Sequence, residues 1–121
     1  MSLKVTSTQT RPGIITISPI GSVDTRTYTI LEEKVDSVLK EKPNVIIFDM
    51  EFLDYINSMG VRVLLKSRKH MKKCDGKVVF MKLQPQIKKV FDVLKALPSM
   101  RVFASIKELD NYLDAMQKAA R

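Results

Sequence analysis

One stretch of this sequence, residues 45–64, joins a buried strand, an acidic turn and the start of a helix, and it constrains the fold more than any other. It reads VIIFDMEFLDYINSMGVRVL. The opening run from Val45 to Phe48 is apolar and largely β-branched, which is typical of a strand buried on both faces. Apolar residues then recur on one side of a helix at Val61, Leu64 and Leu65. The stretch predicts a strand, a short acidic turn and a helix that begins at Ser58.

Ser58 lies where the predicted turn meets the helix, and two interpretations of it stay open on local sequence alone. Its hydroxyl is a natural N-cap, because the first backbone N–H groups of a helix have no partner within the helix. The same N–H groups and the positive end of the helix dipole also favour an anion. A phosphate esterified to Ser58 would therefore enter a site that suits it.

The rest of the chain alternates strands with helices. Residues 3–8 and 14–20 are rich in β-branched residues and flank the turn signal Thr10-Arg11-Pro12-Gly13, which predicts a hairpin. Gly21-Ser22-Val23-Asp24 is expected to break the second strand. Helical periodicity predicts helices over 26–40 and over 58–73, the second of which Asp75-Gly76 ends. A third helix is predicted from Pro85 to Pro98-Ser99, and a fourth after a cap at Ser105. Strands are predicted at 77–81 and 101–103.

This order, ββαβαβαβα, implies an α/β fold with a mixed, largely parallel sheet and crossover helices. Ligands of such sheets collect at the carboxyl ends of the strands. Asp24 follows the second strand, Asp49 ends the third, and Ser58 opens the second helix. We expect these three residues at one end of the molecule, where acidic neighbours place a functional role for Ser58 on an equal footing with a purely structural cap.

Length and composition bound the class of protein. The 121 residues predict a single domain over 1–121, and the longest apolar runs fall far short of the roughly 20 residues that span a bilayer. The first residues lack the apolar region of a signal peptide, so we expect a cytoplasmic protein. With one cysteine, Cys74, and one histidine, His70, the sequence predicts no disulfide, metal site or cofactor.

The net charge of +8 is the one unusual bulk property. The basic residues concentrate in the second helix and beyond it, at Lys66, Arg68, Lys69, Lys72, Lys73, Lys77, Lys82, Lys88, Lys89 and Lys95. Such a balance favours an acidic partner, which leaves nucleic acid, an anionic membrane face, an acidic protein or simply a solvated helix face. No recognised nucleic-acid-reading motif accompanies the charge, so we expect no direct nucleic-acid binding.

A serine hydrolase is the first rival class, and geometry argues against it. The base for a Ser58 nucleophile would have to be His70, twelve residues along the same predicted helix. At 1.5 Å per residue the two lie roughly 18 Å apart, so we expect a protein that is not an enzyme.

Three segments resemble the STAS domain of the anti-sigma-factor antagonist family. They are Gly21-Ser22-Val23-Asp24 before the first helix, Val45-Ile46-Ile47-Phe48-Asp49 as the central strand, and Tyr55-Ile56-Asn57-Ser58-Met59-Gly60-Val61 at the family's Asp-Ser-Ser/Thr-Gly turn. The resemblance covers essentially the whole chain. Two residues depart from the family pattern, since Asn57 replaces the usual Asp and Met59 the usual second Ser or Thr; the acceptor hydroxyl is retained.

The resemblance implies a regulatory protein that is switched by phosphorylation. In the family, a partner that is both anti-sigma factor and serine kinase binds the unmodified antagonist and is released when the serine is phosphorylated. Carried over, Ser58 is the acceptor, Asp49 shapes the turn, and the partner-binding surface comprises Asp24, Asn57, Ser58, Met59, Gly60 and Arg62. A phosphatase that resets the switch is expected, and a homodimer is left open.

The same fold also offers an alternative to the phosphorylated antagonist. STAS-like proteins serve as scaffold subunits of stress-signalling assemblies and as accessory subunits of membrane transporters. A basic face suits either setting.

Overall fold

Six strands and four helices form the described part of the chain, residues 2–96 and 101–119 of a computed structural model. In chain order they are β1 (Leu3–Arg11), β2 (Ile14–Val23), α1 (Tyr28–Leu39), β3 (Val45–Asp49), β4 (Leu53–Ile56), α2 (Ser58–Lys73), β5 (Lys77–Met81), α3 (Pro85–Val93), β6 (Val102–Phe103) and α4 (Ile106–Ala119). The predicted α/β fold is confirmed. One strand, β4, was not predicted.

The strands form one mixed sheet in the order β1-β2-β3-β5-β6. β1 runs antiparallel to β2, and the pairs β2 with β3, β3 with β5, and β5 with β6 are parallel. The amino-terminal half of β2 pairs with β3, whereas its carboxyl-terminal half pairs with β4. β4 therefore continues the sheet beside β2 after β3 has ended.

The strand β4 lies where the sequence predicted an acidic turn. Leu53 and Ile56 are buried, while Asp54 and Tyr55 between them are exposed. This spacing of apolar residues lacks the strict alternation by which a half-buried strand is recognised in a sequence. A register shift between Gly21 and Ser22 accompanies the pairing of β2 with β4.

The two faces of the sheet carry separate hydrophobic clusters. Alternate residues of β3 point to opposite faces, so Ile46 and Phe48 pack with residues of α1, α2 and α3, whereas Val45 and Ile47 pack with residues of α4. The β3 side chains Val45 to Phe48 are all buried, as predicted for a central strand. Helices α1 to α3 thus cover one face, and α4 covers part of the other.

The first hairpin forms as predicted. β1 and β2 meet at Pro12 and Gly13, and Gly13 has φ +76°, the left-handed conformation that a type II turn requires at its third residue. The expected break at Gly21 is wrong, because β2 runs through Gly21 (φ +113°) to Val23. Glycine tolerates that backbone conformation inside the strand.

Helix boundaries agree with the predictions in part. α2 spans Ser58–Lys73 as predicted, and the Gly76 N–H donates to the Met71 carbonyl at 2.7 Å after the helix. The predicted cap of α4 is also present, since the Glu108 N–H donates to the Ser105 hydroxyl at 3.2 Å. α3 ends at Val93; Pro98 and Ser99, which we expected to end it, lie outside the described residues.

Within residues 2–96 and 101–119, no helix has both the length and the apolar character that a membrane crossing requires.

Candidate functional site

The carboxyl ends of β2 and β4 meet at one corner of the molecule. Val23 pairs with Ile56, and the Asn57 N–H donates to the Val23 carbonyl at 3.0 Å. Asp24 and Asn57 therefore follow two paired residues, and Ser58 comes next in the chain. The structure brings these three predicted site residues together.

Asn57, rather than Ser58, is the N-cap of α2. Its side-chain oxygen accepts the Gly60 N–H at 3.1 Å, and its extended backbone turns into the helix. Of the two interpretations of Ser58, the helix cap is wrong, because the cap oxygen comes from one residue earlier. Ser58 is the exposed first residue of α2, and its hydroxyl has no hydrogen-bond partner among the described residues.

Asp24 organises the turn that leads from β2 into α1. Its carboxylate accepts the N–H of Arg26 at 2.9 Å and of Thr27 at 3.0 Å, and lies 3.1 Å from the Thr27 hydroxyl. Desolvation is the largest single influence and raises the pKa of Asp24, but the hydrogen bonds from Arg26 and Thr27 together hold this pKa below its ordinary value. Asp24 is therefore a half-buried carboxylate that fixes the loop beside Asn57.

Asp49 does not lie with Asp24 and Ser58, contrary to expectation. Phe48 pairs with Ile17, and β2 runs on for six residues from Ile17 to Val23, roughly 20 Å at about 3.3 Å per residue. Because β4 fills this length, Asp49 is set back from the corner. Its carboxylate accepts the Glu51 N–H at 3.1 Å in the connection from β3 to β4.

The acidic turn expected around Ser58 does not form, because β4 lies between Glu51 and Ser58. Glu51 precedes the strand and forms an ion pair with Lys82 at 3.4 Å. Ser58 follows the strand at its other end. Asp24 rather than Glu51 therefore lies at the corner that carries Ser58, and the exposed Arg62 lies one turn further along α2.

Gly60 lets α2 pack directly on the paired strand ends. A Cβ at this position would lie 2.6 Å from Val23 Cγ1 and 2.6 Å from Ile56 Cγ1, closer than side chains allow. Any larger residue would push the first turn of α2, including Ser58 and the half-buried Met59, away from the sheet. Gly60 is buried and acts by permitting this close approach.

An apolar groove beside Ser58 was not predicted from the sequence. It has a volume of about 430 Å³ and lies between β4, the start of α2 and α3. Three large side chains in it are exposed, namely Tyr55 (44%), Val93 (71%) and Leu94 (43%). The one signal for the groove in the sequence is the adjacent apolar pair Val93 and Leu94.

Gln84, the residue before α3, connects the start of this helix to β4 by hydrogen bonds. Its side-chain amide donates to the Glu51 carbonyl at 2.6 Å and to the Leu53 carbonyl at 3.0 Å. These carbonyls lie at the start of a strand that pairs with β2. The two walls of the groove are therefore held together by side-chain to backbone hydrogen bonds.

The side chains that a serine hydrolase or a metal site would need do not come together in the described residues. Ser58 and His70 lie near opposite ends of α2, roughly 18 Å apart along the helix at 1.5 Å per residue. In the described ranges, no three His, Cys, Asp or Glu side chains come close enough to hold a metal ion.

The sheet topology and the corner where β2 and β4 end define an α/β domain with a mixed, largely parallel sheet and an exposed serine at the start of α2. A sequence profile of the STAS domain family matches residues 6–109. The chain belongs to the STAS domain family.

Proteins named as anti-sigma factor antagonists are similar to this chain in sequence or in fold. BtrV of Bordetella bronchiseptica, named as an anti-sigma factor antagonist, is 29% identical over 73 residues; the match covers 60% of this chain and 63% of BtrV, less than two thirds of its length. An anti-sigma factor antagonist from Mycobacterium paratuberculosis superimposes with a TM-score of 0.82 at 16% identity, over 96% of this chain and 95% of that one. Unphosphorylated SpoIIAA, also an anti-sigma factor antagonist, gives 0.78 at 18% identity, over 93% and 97%.

The fold is also shared with a protein from a transporter family. A sulfate transporter family protein from Wolinella succinogenes superimposes with a TM-score of 0.70 at 14% identity, over 92% of this chain and 93% of that one. At such identities these structures establish the fold alone.

Proposed function

We propose that this protein is an anti-sigma-factor antagonist that binds an anti-sigma factor with serine-kinase activity and is released when that partner phosphorylates Ser58. The observation that carries the proposal is the position of Ser58. It is exposed, its hydroxyl is spared from capping by Asn57, and it stands at the edge of an apolar groove. In this view the protein acts in the cytoplasm as a single non-catalytic domain, and a phosphatase resets it.

The proposed switch acts through the negative charge that a phosphate on Ser58 adds to the partner-binding surface. A phosphoserine carries roughly −1.5 to −2 charges at neutral pH. The first N–H groups of α2 stabilise such an anion, so the domain need not refold. A partner that fits closely around a small neutral hydroxyl would meet a bulky dianion instead, and like charge across an interface costs several kcal/mol.

The partner-binding surface in this proposal surrounds Ser58. It comprises Asp24, Asn57, Met59, Gly60 and Arg62, of which Gly60 acts by holding α2 close to the sheet. Asp49 belongs to the scaffold, since it shapes the connection that leads into β4.

Mass spectrometry of the protein from its own cells tests the proposal. Intact mass and peptide mapping, with and without phosphatase, should reveal a phosphatase-sensitive phosphoryl group on Ser58. A Ser58 that stays unmodified during both growth and stress would contradict the switch.

Variants of Ser58 test its consequence for binding. Ser58→Ala should hold the kinase partner permanently, whereas Ser58→Asp should weaken the complex at least tenfold. Ser37→Ala is the matched control, because Ser37 is exposed on α1 and its hydroxyl donates only to the Lys34 carbonyl at 2.8 Å. Equal binding by Ser58→Asp and the parent would count against the mechanism.

The alternative is an accessory or scaffold subunit without phosphorylation, and the fold shared with a sulfate transporter family protein is compatible with it. Under this alternative Ser58→Ala and Ser58→Asp assemble equally well, and the protein co-purifies with a membrane transporter or a stress-signalling complex.

A further inference from the structure

The groove beside Ser58 combines an apolar lining with one charge. Tyr55, Ile56, Val90, Val93 and Leu94 supply its apolar wall. Among the described residues that line it, Lys89 carries the one charged side chain; Asn57, Ser58 and Gln86 are polar and neutral. A segment that complements this groove therefore has apolar side chains and one acidic group.

Lys89 is available to such a group. It is exposed, and none of the ion pairs found within the described ranges involves it. Asp92, one turn further along α3, is exposed and forms no ion pair with it. A lysine ammonium on a flexible four-carbon stem can turn toward an anion that arrives at either side of the groove.

Resting on the proposed function, we propose that an acidic side chain of the partner and the phosphate on Ser58 compete for Lys89. When Ser58 is unmodified, Lys89 pairs with an Asp or Glu next to apolar partner residues that fill the groove. When Ser58 is phosphorylated, Lys89 turns to the phosphate, and its methylene stem covers the mouth of the groove. Phosphorylation thus removes the partner's counter-ion as well as adding charge.

The groove favours a protein segment over a nucleic acid strand. A strand presents a phosphate on every nucleotide and is usually held by a row of cations. The described lining offers a single cation in an apolar wall, which matches an apolar protein segment with one carboxylate.

The contact between Lys89 and a phosphate on Ser58 of the same chain can be tested without a kinase, by incorporating phosphoserine at position 58 during translation. A ³¹P NMR pH titration should give a second phosphate pKa below about 6, the ordinary value, because a nearby ammonium favours the dianion. Lys89→Gln should raise this pKa toward 6. Lys88→Gln is the matched control, since Lys88 is the exposed neighbour that does not line the groove, and it should change the pKa far less. Equal titration of the two variants overturns the proposal.

Access to the groove is tested with 1-anilinonaphthalene-8-sulfonate, an apolar probe with one anionic group. Amide NMR should place it against α3 and β4 in the unmodified protein. Lys89→Gln should weaken binding at this site about five- to tenfold, Lys88→Gln less than twofold, and phosphoserine at 58 should abolish it. Unchanged binding by the phosphorylated protein overturns the proposal.

A second copy of the chain is the other candidate occupant of the groove. In that case the protein would sediment as a dimer that Val93→Ser dissociates, and this result also overturns the proposal. An unphosphorylated Ser58 in cells would defeat the proposed function but leave the titration and probe results unchanged, so the two failures are distinguishable.

Discussion

At the scale of single residues, Asn57 caps α2 and thereby leaves the Ser58 hydroxyl without a capping role. Because its side chain caps the helix through the Gly60 N–H, Asn57→Ala should lower stability by about 1 kcal/mol. That loss corresponds to a fall in Tm of about 3–5 °C for a domain of this size. Asn57→Asp keeps the cap oxygen and adds a negative charge at the positive end of the helix, so it should be at least as stable as the parent. Calorimetry of the three proteins checks the order.

Asp24 gives the site a dependence on pH. Its folded-state pKa is lowered, so its ionised form stabilises the fold at pH values above the unfolded pKa of about 3.9, and this contribution is lost as pH falls through the folded value. The Tm of Asp24→Asn, which cannot titrate, should lie below that of the parent at pH 7. The two Tm values should converge below about pH 4. Thermal melts of both proteins from pH 3 to 7 measure this, and a gap that widens in acid would show that the carboxylate is not the cause.

At the scale of elements, the strands and helices that could be predicted from the sequence are those whose apolar residues form a continuous run or follow a regular period. β3, with four consecutive buried residues, and α2, with its repeating apolar face, were predicted at their observed positions. β4 was missed because its ordering depends on partners distant in the chain, namely β2 and Gln84, the residue before α3. The groove was missed for the same reason, since local periodicity cannot show that α3 ends at Val93 beside β4.

The attachment of β4 to α3 can be tested at Gln84. Gln84→Ala removes two hydrogen bonds to backbone carbonyls, so we expect a loss of about 1–3 kcal/mol. Amide hydrogen exchange should quicken in β4 and the first turn of α2 more than in β3. Gln9→Ala is the control, because Gln9 is exposed on the edge strand β1 and should leave exchange in β4 unchanged. Uniform acceleration across the sheet would mean that Gln84 supports the whole fold rather than this corner.

At the scale of the whole molecule, the charge is divided unevenly. The sequence of α2 contains six Lys and Arg residues and no acidic residue. The three ion pairs found in the described ranges, Arg11 with Asp110, Arg11 with Asp114, and Lys82 with Glu51, all lie outside this helix. Its cations therefore repel one another across an exposed face, and added salt screens that repulsion.

Salt should consequently stabilise the protein. Between about 20 and 200 mM NaCl the Debye length shortens from above 20 Å to below 10 Å, so we expect Tm to rise by a few degrees. Lys69→Glu should raise Tm at low salt and flatten this dependence, because it pairs with Lys73 one turn on and relieves like-charge contacts. Lys4→Glu makes the same change in net charge on the exposed edge strand β1. Equal salt dependence in the two variants would show that net charge, rather than the basic face of α2, sets the effect; a smaller dependence in Lys69→Glu alone assigns it to α2.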